Sequence, residues 1–80
     1  MNFRVSARLD KELAKIFAQN KKLAPKIEKQ LSLFRQNHLY PSLRNHKLSG
    51  YKGRVWSISI DKSTRMLYEL DEKGAYFFDL

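Results

Sequence analysis

The chain has 80 residues, the length of one small domain. It contains no cysteine, so disulfides and thiolate metal sites are excluded. Sixteen Lys and Arg residues against eight Asp and Glu give a net charge of +8. A charge of this sign favours a polyanionic partner, which can be nucleic acid, an acidic protein or anionic lipid.

The basic charge is concentrated in the first two thirds of the chain. Residues 1–54 carry thirteen basic and three acidic side chains, whereas residues 55–80 carry three and five. Residues 1–15 are charged throughout and lack the apolar core of a signal peptide, and no apolar run approaches the ~20 residues of a membrane span. We therefore expect one soluble cytoplasmic domain over residues 1–80, with no membrane partner.

The first half of the chain predicts a strand followed by two helices. Residues 2–7 alternate weakly in polarity, as in a strand, and from Leu9 the apolar residues recur at helical spacing. Either Ser6 or Asp10 can cap this first helix. A second helix is predicted from residue 23 or 24, since Pro25 is tolerated in a first turn. We interpret the two apolar stripes as core packing; they are Leu9, Leu13, Ile16 and Phe17, and Leu23, Ile27, Leu31 and Phe34.

The second half predicts a long irregular segment and then three strands. Residues 38–53 are rich in turn formers, and connections of this length are often functional. Alternating polarity then predicts two strands and, after a hairpin turn in which Gly74 takes a positive φ, a final strand from residue 75. The predicted fold class is α+β, with the order β-α-α-β-β-β and a helical hairpin packed on a small, mainly antiparallel sheet.

The strand pattern also predicts the two faces of the sheet. The helices are expected to cover Trp56, Ile58, Ile60, Met66, Tyr68 and Leu70. The opposite face then carries Ser57, Ser59 and Arg65. An arginine among small hydroxyl residues on an open sheet face indicates a shallow concave site. No recognised metal-ligand spacing is present, and we expect no metal and no cofactor.

Residues 45–60, NHKLSGYKGRVWSISI, and residues 64–68, TRMLY, resemble the RelE/ParE toxin superfamily, in particular its YafQ-like and RelE-like messenger RNA interferases. The combination H-K-L-x-G, W-S-I and R-x-x-Y carries the likeness, which extends over the whole chain. The resemblance implies the toxin of a type II toxin–antitoxin system, an endoribonuclease that cuts messenger RNA at the ribosome and is silenced by an acidic antitoxin.

The resemblance also implies roles for individual residues. Arg65 matches the strand arginine that contacts the scissile phosphate, and His46 matches a catalytic histidine of YafQ-like members. The resemblance implies basic contacts to RNA from Lys47, Lys52 and Arg54. We also expect RNA contacts from Arg44 and from Tyr51, whose aromatic face can stack on an unpaired base or pack within the loop. Family members usually continue past the last strand with a G-x-H-x-x-x-Y segment that supplies a general acid, and the sequence stops at Leu80, where that segment would begin.

The chemistry predicted from these residues is metal-independent cleavage by the 2′-hydroxyl of the RNA. An imidazole serves as base near neutral pH, and a guanidinium binds phosphate oxygens in bidentate fashion. Tyr68 and Tyr76 are available phenols for the acid, and the spacing favours neither. Two alternatives stay open: a ParE-like inhibitor of DNA gyrase without catalysis, and an inactive toxin that still binds its antitoxin.

Overall fold

The computed structural model describes residues 1–50 and 53–80; Tyr51 and Lys52, two of the predicted RNA contacts, lie outside the described residues. In these two described ranges, two helices and five strands follow the predicted order, with one short strand more than predicted. The elements are β1 (Phe3–Val5), α1 (Ala7–Gln19), α2 (Leu23–Gln36), a 3₁₀ turn (Pro41–Leu43), β2 (His46–Lys47), β3 (Val55–Ser59), β4 (Arg65–Asp71) and β5 (Gly74–Asp79).

Side-chain caps stabilise the start of α1 and the turn between the two helices. Of the two predicted caps for α1, the structure uses Ser6, whose Oγ accepts the backbone N–H of Leu9 at 3.1 Å. Asn20 ends α1, and its Oδ1 accepts the N–H of Leu23 at 3.0 Å at the start of α2. The predicted stripes face the core except at Phe17, whose side chain is 39% exposed at the far end of α1.

The sheet has the strand order β1-β5-β4-β3-β2. β1 pairs with β5 in parallel, and the other three pairings are antiparallel, so the mainly antiparallel sheet is confirmed. Gly74 takes the predicted positive φ, at +115°, in the turn between β4 and β5. A side chain at this position would collide with the backbone carbonyl of Asn2, so the turn also requires glycine for close packing.

The register separates the sheet into a covered face and an open face. On the covered face, Ile58 lies opposite Met66, and both are fully buried against the helices. Ser59 and Arg65 share the open face, as predicted, and the register places them directly opposite each other. The prediction that a helix covers Leu70 is wrong. Its side chain is 47% exposed, because it borders an open groove with Trp56 instead of a helix. Within the described residues, no helix is long and apolar enough to cross a bilayer.

Candidate functional site

The segment that follows α2 is held in place by Gln30. This side chain is only 7% exposed, and its Nε2 donates to the carbonyls of Ser42 at 3.2 Å and Ser59 at 2.8 Å. One amide thus joins α2, the 3₁₀ turn and the end of β3. Leu43 of the same turn is fully buried, which fixes the segment to the core from a second direction.

A second anchor reaches the same segment from β4. The hydroxyl of the buried Tyr68 donates to Oδ1 of Asn45 at 2.7 Å, and Nδ2 of Asn45 donates to the carbonyl of His38 at 3.0 Å. Burial raises the pKa of Tyr68, and the hydrogen bond to Asn45 opposes this increase only in part. Asn45 therefore has a fixed orientation, which in turn fixes the direction of the next residue, His46.

Replacing Tyr68 with phenylalanine should destabilise this anchor without leaving a cavity. The change removes only the hydroxyl, so Oδ1 of the half-buried Asn45 loses its partner, at a cost of about 1–2 kcal/mol in the free energy of unfolding. Urea unfolding followed by circular dichroism measures this loss. Tyr40→Phe, at a side chain that is 46% exposed, is the matched control and should change stability by less than about 0.5 kcal/mol. Equal stability of Tyr68→Phe and the wild type would contradict the anchor.

Arg44 places its backbone carbonyl at the centre of the site. The residue has φ +46° and ψ +47°, a left-handed conformation that is uncommon outside glycine. Its carbonyl oxygen accepts Nη2 of Arg65 at 2.9 Å and lies 2.9 Å from Nδ1 of His46. The unusual backbone therefore orients both predicted catalytic side chains at once.

Arg65 is fixed on the open face by β3 as well as by the Arg44 carbonyl. Its Nε donates to Oγ of Ser57 at 2.8 Å, and Ser57 is fully buried. Burial lowers the pKa of Arg65, and the nearby Arg44 guanidinium lowers it further, yet a guanidinium stays protonated at neutral pH. Within the described residues, the hydrogen bonds of Arg65 use Nε and Nη2, which leaves Nη1 to meet a ligand.

The geometry selects one tautomer of His46. Nδ1 lies 2.9 Å from the Arg44 carbonyl and 3.2 Å from Nη2 of Arg65, and it cannot both donate to the first and accept from the second. We assign the proton to Nδ1, because the carbonyl contact is shorter and Nη2 already has the same oxygen as its acceptor. The lone pair of the neutral imidazole then lies on Nε2, and the side chain is exposed.

Lys47 and Arg54, the other predicted RNA contacts that the structure describes, do not join this cluster. Side chains alternate along a strand, so β2 directs His46 to the open face and Lys47 to the covered face. Nζ of Lys47 lies 5.2 Å from the ring centroid of Trp56, which is on the covered face, and Arg54 borders the same groove. The structure therefore brings together His46, Arg65 and Arg44, and it places Lys47 and Arg54 around the edge of the sheet.

The two candidate phenols lie away from His46. The Tyr68 hydroxyl is on the covered face with Asn45. Tyr76 is in β5, between Glu69 and Arg4 in the register, with the Arg4 guanidinium 5.0 Å from its ring centroid. Neither phenol is placed to act with Arg65. Among residues 1–50 and 53–80, no three His, Asp or Glu side chains form a group that could hold a metal ion.

Sequence reasoning missed the supporting residues of the site more than its reactive ones. Ser57 was assigned to the open face without a role, although it is the buried partner of Arg65. Gln30 interrupts an apolar stripe between Ile27 and Phe34, and a polar residue at such a position is a recognisable signal of a buried hydrogen bond. The backbone role of Arg44 leaves no signal in the sequence.

Comparison with known proteins gives fold likenesses only. Neither a family model nor a curated protein matches the chain. Among solved structures, a YoeB dimer from Staphylococcus aureus has a TM-score of 0.78 at 20% identity, over 99% of this chain and 92% of that one. YoeB–YefM toxin–antitoxin from the same organism has a TM-score of 0.77 at 20% identity, over the same shares.

A chain of the DinJ–YafQ complex from E. coli has a TM-score of 0.74 at 16% identity, over 98% of this chain and 88% of that one. These likenesses cover nearly the whole chain, and they include both helices and the mixed sheet. The chain therefore has the fold of these YoeB and YafQ structures, and the α+β fold class expected from the sequence is confirmed.

Proposed function

We propose that this protein is the toxin of a type II toxin–antitoxin system and that it cleaves messenger RNA at the ribosome, in the cytoplasm, without a metal. The observation that carries the proposal is the cluster on the open face, where Arg65 and an exposed His46 share the carbonyl of Arg44. A guanidinium beside a neutral imidazole is a combination that suits cleavage of a phosphodiester.

In the proposed reaction, the RNA supplies its own nucleophile. Nε2 of His46 takes the proton of the 2′-hydroxyl, and the 2′-oxygen forms a bond to phosphorus while the bond from phosphorus to the 5′-oxygen breaks. Nη1 of Arg65 donates to a phosphate oxygen as negative charge develops there. The 5′-oxygen takes a proton from water, since no general acid is assigned among the described residues. The products are a 2′,3′-cyclic phosphate and a 5′-hydroxyl.

The charge distribution supports both proposed partners. The excess of basic side chains in residues 1–54, thirteen against three acidic ones, favours contact with RNA and equally favours contact with an acidic antitoxin. YoeB of S. aureus, which shares the fold, is found in a complex with YefM described as toxin–antitoxin. We propose an equivalent acidic partner for this chain, encoded by a neighbouring gene.

Induced expression of the protein in bacteria should arrest growth and produce cut messenger RNA with 2′,3′-cyclic phosphate ends. His46→Gln should relieve the arrest and lower cleavage by about 10²–10⁴-fold, because an amide can form hydrogen bonds but cannot take the proton. The measurements are growth after induction, and mapping of RNA ends in cells and with purified ribosomes. His38→Gln is the matched control, since that ring packs edge-on against Phe34 away from the cluster, and it should stay toxic.

The same experiment separates the alternatives. Growth arrest with stalled DNA supercoiling and intact messenger RNA would replace the nuclease with a gyrase inhibitor. No arrest, with a stable complex between the protein and the product of the adjacent gene, would identify an inactive toxin. Full toxicity and unchanged cleavage of His46→Gln would contradict the role of His46 and leave the toxin assignment in place.

A further inference from the structure

A groove opens on the covered face beside β2, beyond the part of the sheet that the helices cover. Its volume is about 530 Å³, and it is lined by Lys47, Gly53, Arg54, Trp56, Glu69 and Leu70. Sites for small ligands measure roughly 300–1,000 Å³, so the groove has room for one nucleotide. It is separate from the cluster of His46 and Arg65, which lies on the open face.

The indole of Trp56 gives the groove an aromatic wall. One neighbour of the ring is Tyr68, with ring centroids 6.4 Å apart and planes 17° from parallel. The ammonium of Lys47 lies 5.2 Å from the Trp56 centroid, in the position of a cation–π contact. The long lysine side chain can leave the ring, which allows a flat base to stack where the ammonium lay.

The other groups around Trp56 match the remaining parts of a nucleotide. Lys47 and Arg54 provide two cations for phosphate. Leu70, 47% exposed, offers an apolar contact for a ribose. An acidic peptide would use the two cations but not the aromatic wall, so this combination favours a single-stranded nucleic acid.

The edge strand connects this groove to the cluster on the open face. His46 and Lys47 are consecutive residues of β2, with Cα atoms about 3.8 Å apart, and their side chains lie on opposite faces. β2 is the last strand of the described sheet on this side. A flexible single strand can therefore bend around β2 and contact both faces within a few nucleotides.

We propose that the groove of Lys47, Arg54 and Trp56 binds one unpaired nucleotide of the RNA whose neighbouring phosphate lies at Arg65. The base stacks on Trp56, and its phosphate lies between Lys47 and Arg54. This inference rests on the proposed function for the identity of the polymer, and it adds a binding site on the face opposite the reacting groups.

Trp56 is the only tryptophan of the chain, so its fluorescence reports directly on the groove. The probe is a single-stranded RNA of about 8 nucleotides, within the range of single-strand sites, with 2′-O-methyl riboses that prevent cleavage by the 2′-oxygen. Titration into the wild type should quench the fluorescence. Lys47→Gln and Arg54→Gln should each weaken binding and reduce the slope of log K against log salt by about 0.7, the value for one lost phosphate contact.

Lys29→Gln is the matched control, because it removes one exposed charge from α2 and should leave the slope unchanged. Arg65→Ala should weaken binding by one phosphate contact, but the quenching at saturating RNA should stay, since the base still stacks on Trp56. Absence of quenching in the wild type, an unchanged slope in Lys47→Gln, or equal quenching by poly-glutamate would overturn the site. If the protein cleaves messenger RNA but its fluorescence is not quenched, only the nucleotide site in the groove is contradicted. If the fluorescence is quenched but no RNA is cleaved, only the proposed nuclease activity is contradicted.

Discussion

Replacing Arg65 with lysine should lower the rate of RNA cleavage by about 10²-fold, even though the positive charge is kept. The guanidinium donates Nε to Ser57 and Nη2 to the Arg44 carbonyl, and in the proposed reaction Nη1 donates to the phosphate at the same time. A lysine ammonium is a single point donor and cannot hold two protein contacts and a phosphate oxygen in this geometry. Loss of one prearranged donor to a developing oxyanion costs about 10²–10³-fold.

The measurement is single-turnover cleavage of ribosome-bound messenger RNA, with saturating protein so that binding and chemistry are separated. Arg65→Ala should reduce the rate at least as much as Arg65→Lys. Arg8→Ala is the matched control for loss of charge: its guanidinium side chain is 68% exposed and contacts Phe78 and Asp79 of β5. If Arg65→Lys cleaves at the wild-type rate, charge alone is sufficient and the three-way arrangement has no catalytic value.

Ser57→Ala gives an intermediate test of the same arrangement. The change removes the buried acceptor of Arg65 Nε and leaves the carbonyl contact at Arg44. We expect a smaller loss than for Arg65→Lys, appearing in the rate at saturation rather than in RNA affinity, since the guanidinium is present but poorly oriented. A change confined to affinity would mean that Ser57 positions no reacting group.

The fold was predictable because its elements have strong local signals. Period-3.6 and period-2 patterns identified both helices and the three long strands, and Gly74 identified the last hairpin. The two-residue strand β2 was not predictable, because two residues contain no periodicity and the pairing depends on the position of β3. The exposure of Leu70 was missed for a related reason: alternation gives the face of a strand but not how far the helices extend over it.

Only the side chains proposed to react could be predicted for the candidate site. Arg65 could be placed on the open face from alternation along β4. His46 and Lys47 lie on different faces of the sheet because they belong to strand β2. Since β2 could not be predicted, the sequence placed these two neighbours in one site. The contribution of Arg44 is a backbone carbonyl in a left-handed conformation, and its side chain carries no information about that role.

Replacing Gln30 with leucine should destabilise the fold more than most single substitutions outside the apolar core. The two side chains have similar volume, so the main effect is the loss of two hydrogen bonds to the carbonyls of Ser42 and Ser59. Both hydrogen bonds are partly buried. Leaving a carbonyl unpaired in such a place costs about 1–3 kcal/mol, and leucine recovers part of this by apolar burial. A net loss of about 2 kcal/mol corresponds to a decrease in Tm of about 8–16 °C for a domain of this length.

Thermal unfolding followed by circular dichroism measures this loss, and Gln36→Leu on the same helix is the control. Gln36 is exposed, with one long contact of 3.5 Å to Ser32, so its replacement should change stability by less than about 0.5 kcal/mol. Gln30→Glu keeps the shape of the side chain but removes its hydrogen-bond donors. An ionised carboxylate cannot donate to either carbonyl, so this variant should be less stable than Gln30→Leu at neutral pH. Protonation restores one donor, so the difference should decrease as the pH falls. If Gln30→Leu and Gln30→Glu both had the stability of the wild type at all pH values, packing rather than the two hydrogen bonds would hold α2, the 3₁₀ turn and β3 together.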